Sequence, residues 1–277
     1  MNNSHQTAET KFVEAERIKF AYRRFGTDSR IPVIFLQHIG GTMDGWDPAV
    51  TDGIAKEHQV ILFDNRGVSS TNGKAPDNVD AMADDAIAFI EALSLDIVDI
   101  LGFSLGGFVA QRVAFKKPSL IRKMILVGTG PQGSAGLDGL PETFSVSHKK
   151  GASEGLIWLF FTDSEESQKR GHEFWSRLNQ RTLARDPDIS AETFERQMKA
   201  IVDWGAAVDK SYHDLKAMNF PVLIVNGSSD KVIPTKNSYI LFEQLNDGWL
   251  SLYPDSGHGS FSQYPKLFVE EVTGFLK

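Results

Sequence analysis

The chain alternates between short apolar runs and longer segments of helical spacing. Four consecutive apolar residues occur at residues 33–36, 60–63, 124–127 and 222–225, as expected for parallel strands buried on both faces of a sheet. Residues 18–23 alternate apolar and polar side chains, which predicts a half-buried antiparallel strand near a sheet edge. The predicted strands are residues 12–14, 18–23, 32–37, 60–63, 97–100, 123–127, 221–226 and 249–253.

The segments between these strands predict helices. Residues 79–93, 108–117 and 264–276 carry apolar side chains at helical spacing, and Asp77 or Asn78 is suited to cap the first of them. Strands that alternate with helices predict a mostly parallel sheet with helices on both faces.

No buried-strand pattern occurs between about residue 131 and residue 217. Helices are predicted there instead, at residues 153–161, 166–185 and 190–208. We therefore divide the chain into a core, residues 1–130 and 218–277, and a helical insertion, residues 131–217. The first ten residues are polar, and we expect them to form a frayed tail.

Length and composition narrow the function classes. A chain of 277 residues allows one large α/β domain, and 41% hydrophobic with 23% charged residues is typical of a globular protein. The net charge of −7 and the lack of a basic stripe argue against nucleic acid as a partner. Because the chain has no cysteine, disulfides, thiol catalysis and cysteine-ligated zinc are excluded.

No segment indicates export or insertion into a membrane. The polar N-terminus lacks the apolar centre of a signal peptide, and no apolar run is long enough to span a bilayer. We therefore expect a cytoplasmic protein that acts on a small molecule and does not bind membranes. A homodimer is an alternative to a monomer as its oligomeric state.

A serine framed by glycines follows the predicted strand at residues 97–100. The segment Gly102-Phe103-Ser104-Leu105-Gly106 leads from this strand into a predicted helix. In that context the Gly-Xaa-Ser-Xaa-Gly pattern indicates a nucleophilic serine on a tight turn, where the residues two before and two after must be small. The free N–H groups at the start of the helix suit a developing oxyanion.

A serine hydroxyl needs a base, and the base needs an acid that orients it. His258, in the glycine-rich loop after the last strand, is the candidate base. Asp230 is the candidate acid because it follows the strand at residues 221–226, and ligands bind at the carboxyl edge of parallel strands. Asp255 competes for this role, but it lies only three residues before His258 and is better suited to cap the turn.

Other polar groups beside the presumed site are interpreted as structural. Asp64 ends a core strand, and we expect it to pair with Arg66 and brace the following loop. His38 also ends a core strand, and we expect it to shape its loop by hydrogen bonding rather than to transfer a proton.

The order Ser104, Asp230, His258 along the chain is that of the α/β-hydrolase superfamily, which this sequence resembles. The matching motifs are His38-Ile39-Gly40-Gly41, Asp64-Asn65-Arg66-Gly67, Gly102-Phe103-Ser104-Leu105-Gly106-Gly107, Gly227-Ser228-Ser229-Asp230 with Pro234, and Gly257-His258. The resemblance implies an α/β fold with a mostly parallel eight-stranded sheet flanked by helices. It also implies that the helical insertion forms a cap after the sixth strand.

The resemblance further implies an oxyanion hole made by two backbone N–H groups. One would come from Leu105, directly after the nucleophile. The other would come from Gly40, which occupies the usual position in the loop after His38. Because His-Ile-Gly replaces the common His-Gly-Xaa, Ile39 is an alternative donor.

The identity of the nucleophile narrows the reaction. Dehalogenases and epoxide hydrolases of this superfamily carry aspartate at the position of the nucleophile, so Ser104 argues against both activities. We expect a carboxylic ester hydrolase that forms an acyl-enzyme on a small or medium, largely uncharged substrate. Ile39, Trp158, Phe161 and Trp175 are predicted to bind that substrate, and Phe160, Phe174 and Trp204 are further insertion aromatics that could wall the pocket. All these aromatic residues have an alternative interpretation as the core of the insertion.

Related activities use the same three residues. Lactonases, carbon–carbon bond hydrolases and cofactor-free perhydrolases are alternatives within the superfamily. A non-catalytic protein that binds a small molecule is an alternative from another class, and the intact triad favours an enzyme over it. No metal or organic cofactor is indicated.

Overall fold

A computed structural model describes residues 4–208 and 211–277. Within them, eight strands form one sheet in the order β1-β2-β4-β3-β5-β6-β7-β8. The strands are β1 (Lys11–Ala15), β2 (Ile18–Gly26), β3 (Val33–Leu36), β4 (Gln59–Phe63), β5 (Val98–Phe103), β6 (Ile121–Val127), β7 (Val222–Gly227) and β8 (Gly248–Tyr253). Strand β2 is antiparallel to β1 and β4, and the remaining neighbours are parallel, which confirms the predicted fold class.

Burial explains the continuous apolar runs. Every residue of β3, β4, β5 and β7 is buried, because helices cover both faces of the sheet centre. The helices are α1 (Pro48–Ala55), α2 (Val79–Ala92), α3 (Leu105–Lys116), α4 (Leu140–Lys149), α5 (Ala152–Phe160), α6 (Glu165–Leu178), α7 (Ala191–Ala206), α8 (His213–Lys216), α9 (Lys236–Gln244), α10 (Ser260–Gln263) and α11 (Pro265–Leu276). Within the described ranges, no helix combines the length and apolarity needed to cross a membrane.

Helices α4 to α8 lie between β6 and β7, where the sequence predicted an insertion. The predicted helix at residues 166–185 ends earlier, at Leu178, and α4 and α8 were not predicted. The exact limits of the insertion, 131 and 217, stay a prediction, and its residues 209–210 lie outside the described residues.

The N-terminal segment is docked, not frayed. His5 is buried, its backbone N–H donates to Asp52 Oδ1 at 2.7 Å, and its Nδ1 lies 2.9 Å from Thr51 Oγ1. Arg181 Nη1 donates to the carbonyls of residues 5, 6 and 8. The predicted tail is therefore wrong for the described residues from Ser4 onward, because buried polar contacts hold this segment between α1 and the insertion; residues 1–3 lie outside the description.

Candidate active site

Ser104 occupies a strained turn between β5 and α3. Its backbone has φ 56° and ψ −118°, which a non-glycine residue adopts only where the surrounding structure enforces it. The Ser104 N–H donates to the Val127 carbonyl at 2.9 Å, and Thr129 Oγ1 donates to the Ser104 carbonyl at 2.9 Å. Two contacts with the end of β6 and the residues after it therefore hold the turn.

The glycines around Ser104 allow a close approach of the backbone. A Cβ atom on Gly106 would overlap the carbonyl of Leu36 at the end of β3. A Cβ atom on Gly102 would lie 2.5 Å from the Gly106 carbonyl oxygen. Side chains larger than hydrogen at these positions would push α3 away from the sheet and open the turn.

Asp230 and His258 form a buried pair beyond the carboxyl ends of β7 and β8. His258 Nδ1 lies 2.8 Å from Asp230 Oδ2, and both side chains are almost fully buried. The other carboxylate oxygen of Asp230 accepts backbone N–H groups from Val232 at 2.8 Å and Ile233 at 3.0 Å. Because an ionised carboxylate only accepts, Nδ1 carries the hydrogen, and the lone pair of the neutral ring lies on Nε2.

The His258 ring lies next to the serine turn. Its centroid is 4.8 Å from that of Phe103, the residue before Ser104, and 5.5 Å from that of Phe160 at the end of α5. In the described part of the chain, no hydrogen bond joins the Ser104 hydroxyl to His258. Such contacts are often long in free enzymes and tighten when substrate binds.

The loop after β3 brings Gly40 towards the insertion. Gly40 has φ +73°, a conformation that favours glycine, and its N–H donates to Gln197 Oε1 of α7 at 2.9 Å. Leu105 is the first residue of α3, so its N–H has no acceptor within the helix. Ile39 is buried in the hydrophobic core and its carbonyl faces the His38 ring.

His38 is a neutral structural group in this geometry. Burial lowers the pKa of His38 to about 4, and the ring lies between Phe103 and Phe160. Its Nδ1 donates to the Ile39 carbonyl at 2.6 Å. This contact agrees with the predicted role of shaping the loop.

The predicted pair of Asp64 and Arg66 is not formed. Arg66 pairs with Asp85 of α2 at 2.8 Å, while Asp64 Oδ1 accepts the N–H of Met43. Burial raises the pKa of Asp64 well above its usual range, and the nearby carboxylate of Asp186 raises it further. Asp64 therefore anchors the loop after β3, whereas Arg66 points towards the α2 side.

Asp255, the competing acid, faces away from the histidine. Its carboxylate accepts hydrogen bonds from Thr162 Oγ1 at 2.7 Å and Ser164 Oγ at 2.5 Å, and these two hydroxyls lower its pKa. It ties the segment after α5 to the loop that carries His258. It therefore serves as a contact between insertion and core.

A cleft of about 950 Å³ opens between the insertion and the loop after β3. Gly40 lines it, α4, α5 and α7 supply most of its walls, and Ser104, Leu105 and His258 are not part of its described lining. The apolar part of the lining comprises Phe144, Leu156, Leu159, Ile189, Phe194 and Met198. Polar side chains, including Ser145, His148, Lys149 and Glu195, complete it.

The aromatic residues predicted to bind substrate are absent from the described lining of this cleft. Phe161 is buried against Phe174, with ring centroids 5.7 Å apart. The Trp158 ring lies under the ammonium groups of Lys231 and Lys150, at 4.0 and 5.6 Å from its centroid. Trp175 packs on the hydrophobic core. The alternative interpretation as the insertion's own core therefore fits these side chains better.

Two further residues lie near the site: Phe160, one of the insertion aromatics that could wall the pocket, and Gln197, which was not selected from the sequence. Phe160 contacts the rings of His38, Phe103 and His258, and its carbonyl accepts the N–H of Gly259 at 2.8 Å. Gln197 contacts Gly40. The only sequence signal for Phe160 was its place in an aromatic run, and Gln197 looks like an ordinary polar residue of a helix. In the described ranges, no group of three or more acidic, histidine or cysteine side chains is placed to hold a metal ion.

Comparisons with known proteins show the family and the fold. A family model described as alpha/beta hydrolase fold matches residues 31–265. An alpha/beta hydrolase fold protein from Chitinophaga pinensis is similar in structure, with a TM-score of 0.96, 44% sequence identity and 99% of each chain covered.

Two curated relatives are more distant. A putative carbamate hydrolase from Rhizobium rhizogenes is 24% identical, covering 88% of this chain and 92% of its own. A 2-hydroxy-6-oxo-6-(2'-aminophenyl)hexa-2,4-dienoic acid hydrolase from Metapseudomonas resinovorans is also 24% identical, covering 96% of this chain and 90% of its own. These relatives carry different substrates in their names, so they indicate a hydrolase without indicating its substrate.

Proposed function

The chain belongs to the alpha/beta hydrolase fold family, and from that premise we propose that it cleaves a carboxylic ester through a covalent intermediate on Ser104. The observation that carries the proposal is the buried Asp230–His258 pair beside a serine held at φ 56°. A serine held in a strained turn and an oriented imidazole are what nucleophilic acyl transfer requires.

The proposed reaction runs in two halves. The Ser104 oxygen attacks the ester carbonyl carbon, and its proton passes to Nε2 of His258. The tetrahedral intermediate then expels the alcohol, which takes that proton as it leaves. A water molecule attacks the acyl-enzyme, its proton passes to Nε2, and the same proton returns to Ser104 Oγ as the carboxylic acid is released.

Asp230 and the two backbone N–H donors are proposed to stabilise the charges that develop on His258 and on the oxyanion. Asp230 holds the imidazole in one orientation and stabilises its protonated form, while its own second oxygen is already held by two backbone N–H groups. Leu105 and Gly40 are the proposed donors to the oxyanion, and each such donor contributes about 3 kcal/mol to the transition state. Ile39 remains the alternative to Gly40.

The cleft supports the proposed substrate class. Its volume of about 950 Å³ is at the upper end for small-molecule sites, and most of its lining is apolar. Such walls favour a medium-sized, largely uncharged acyl or alcohol group. We propose this cleft, rather than the surroundings of Trp158, Phe161 and Trp175, as the substrate pocket.

A labelling experiment tests the proposal. The wild-type protein is incubated with p-nitrophenyl acetate, butyrate and octanoate, with and without a fluorophosphonate, and the intact protein is weighed. We expect one adduct, complete loss of activity on labelling, and neither adduct nor turnover in Ser104→Ala. Wild-type protein that neither reacts nor turns over any of the esters would contradict the proposal.

The same preparation separates the alternatives. A lactonase would open the ring of a lactone faster than it cleaves the linear esters. A carbon–carbon bond hydrolase would act on a vinylogous diketone. A perhydrolase would release peracid when hydrogen peroxide is added. Each of these outcomes would keep Ser104 as the nucleophile and change only the substrate.

A further inference from the structure

The insertion supplies a carbonyl oxygen to the proposed oxyanion donor. Gln197 Oε1 accepts the Gly40 N–H at 2.9 Å, and the Gln197 side chain is almost fully buried. An amide oxygen has the same hydrogen-bonding chemistry as the carbonyl oxygen of an ester. In the free protein, Gln197 therefore makes the contact that a substrate carbonyl would make.

The surroundings of Gly40 explain why this contact exists. A Cβ atom on Gly40 would lie 3.5 Å from Phe194 Cδ2 and 3.7 Å from Ile189 Cδ1, so the start of α7 covers this residue closely. A covered backbone N–H that has no acceptor costs free energy comparable to a lost hydrogen bond. Gln197 removes that cost while no substrate is bound.

The cleft lies beside the helix face next to Gln197. Phe194 and Met198, three residues before and one after Gln197 on α7, both line the cleft. Gln197 itself is buried and is not part of the described lining, so its side chain would have to rotate past these neighbours to enter the cleft. A rotation about its side-chain bonds would free the Gly40 N–H without moving the backbone of α7.

We propose that Gln197 occupies the oxyanion donor Gly40 in the free enzyme and that the substrate carbonyl must displace it. This inference rests on the proposed function, since it takes Gly40 as a donor to the oxyanion. Gln197 is then a positioning residue that sets how strongly the site takes up an ester. Substrates that fill the cleft beside Phe194 and Met198 would favour the displaced position.

Removing the acceptor tests the proposal. Gln197→Met keeps a similar length and volume but cannot hold the Gly40 N–H. We expect kcat/KM for p-nitrophenyl acetate to rise about three- to tenfold, which corresponds to about 0.7–1.4 kcal/mol. The inhibition constant of a trifluoromethyl ketone, which forms an oxyanion on the serine, should fall by the same factor. Lys199→Met, on an exposed position of the same helix, should change neither value.

A second variant at the same position tests the proposal if Gln197→Met does not fold. Gln197→Glu keeps both the length and an acceptor, and a carboxylate competes more strongly for the Gly40 N–H and repels a developing oxyanion. We expect kcat/KM to fall at least tenfold at pH 8, with the melting temperature close to that of the wild type.

A merely structural contact gives the opposite results. Gln197→Glu would then retain activity because the hydrogen bond survives, and Gln197→Met would lose activity or leave it unchanged. Either result, in wild-type protein whose Ser104 takes up a fluorophosphonate, overturns this inference alone. Failure of the wild type to react with the fluorophosphonate overturns the proposed function, and the inference falls with it.

Discussion

At the scale of single residues, Asp230 shows how a carboxylate is made into an orienting group. One of its oxygens is held by the N–H groups of Val232 and Ile233, so the side chain cannot rotate away from His258. Asp255 has the same chemistry and is near in sequence, but its oxygens are used by Thr162 and Ser164. Position relative to the imidazole, not residue type, separates the two.

We therefore expect Asp230→Asn to lower kcat about 10⁴-fold with the fold intact, because the imidazole loses its orienting acceptor and the stabilisation of its charged form. Asp255→Asn is the matched control and should change kcat by less than a factor of three. The measurement is turnover of p-nitrophenyl butyrate together with the melting temperature. Loss of turnover in Asp255→Asn, with a normal rate in Asp230→Asn, would move the acid to Asp255.

The residues found from the sequence and those missed differ in one physical respect. Ser104, Asp230 and His258 each follow a strand that the sequence pattern predicts, and the carboxyl ends of parallel strands meet at one edge. Gln197 was missed, because it reaches Gly40 only through the packing of α7 on the loop after β3. That placement depends on contacts between distant elements, which no local pattern encodes.

At the scale of elements, a buried ionic cluster joins the insertion to the core. Arg23 of β2 is fully buried and pairs with Asp44, after β3, and with Asp186, after α6. Asp44 and Asp186 also accept each other's backbone N–H groups, at 2.7 and 3.0 Å. Asp186 lies just after the predicted helix at residues 166–185, which in the structure ends at Leu178. Formation of the cluster explains part of this early end.

Removing the shared cation should destabilise the protein strongly. Arg23→Met leaves buried carboxylates without their main partner, and we expect a loss of about 3–5 kcal/mol in the free energy of unfolding at pH 7. Burial already raises the pKa of Asp186 to about 6. A carboxyl whose folded pKa lies above its unfolded value binds more protons in the folded state, so acidification favours folding. The deficit should therefore shrink as the pH falls from 7 towards 5.

Urea denaturation at pH 7 and pH 5 measures this deficit. Arg170→Met is the control, because Arg170 pairs with Glu166 and Glu173 on the exposed face of α6 and such pairs contribute at most about 1 kcal/mol. An equal loss in both variants, or a deficit in Arg23→Met that does not depend on pH, would mean that the cluster does not join the two parts of the chain as described.

At the scale of the whole molecule, the proposed catalytic residues and the proposed substrate pocket lie in two different parts of the fold. The sheet holds the serine, the acid and the base at one edge, and the insertion supplies most of the walls of the cleft above the loop after β3. Under the proposed function, the chemistry and the choice of substrate thus rest on different elements. A change in the cleft wall far from Ser104 should alter chain-length preference without altering the chemical step.

Ala152, the exposed first residue of α5, lines the cleft and tests this division. A tryptophan there fills space that a long acyl chain needs and an acetyl group does not. We expect Ala152→Trp to lower kcat/KM for p-nitrophenyl octanoate about tenfold relative to acetate, since roughly two buried methylene groups are lost at about 0.8 kcal/mol each. Glu154→Trp places the same side chain on the same turn outside the cleft and should leave the ratio unchanged. Equal losses for both esters in Ala152→Trp would indicate a distortion of the catalytic edge that affects every substrate. That result would contradict the binding of long substrates in this cleft.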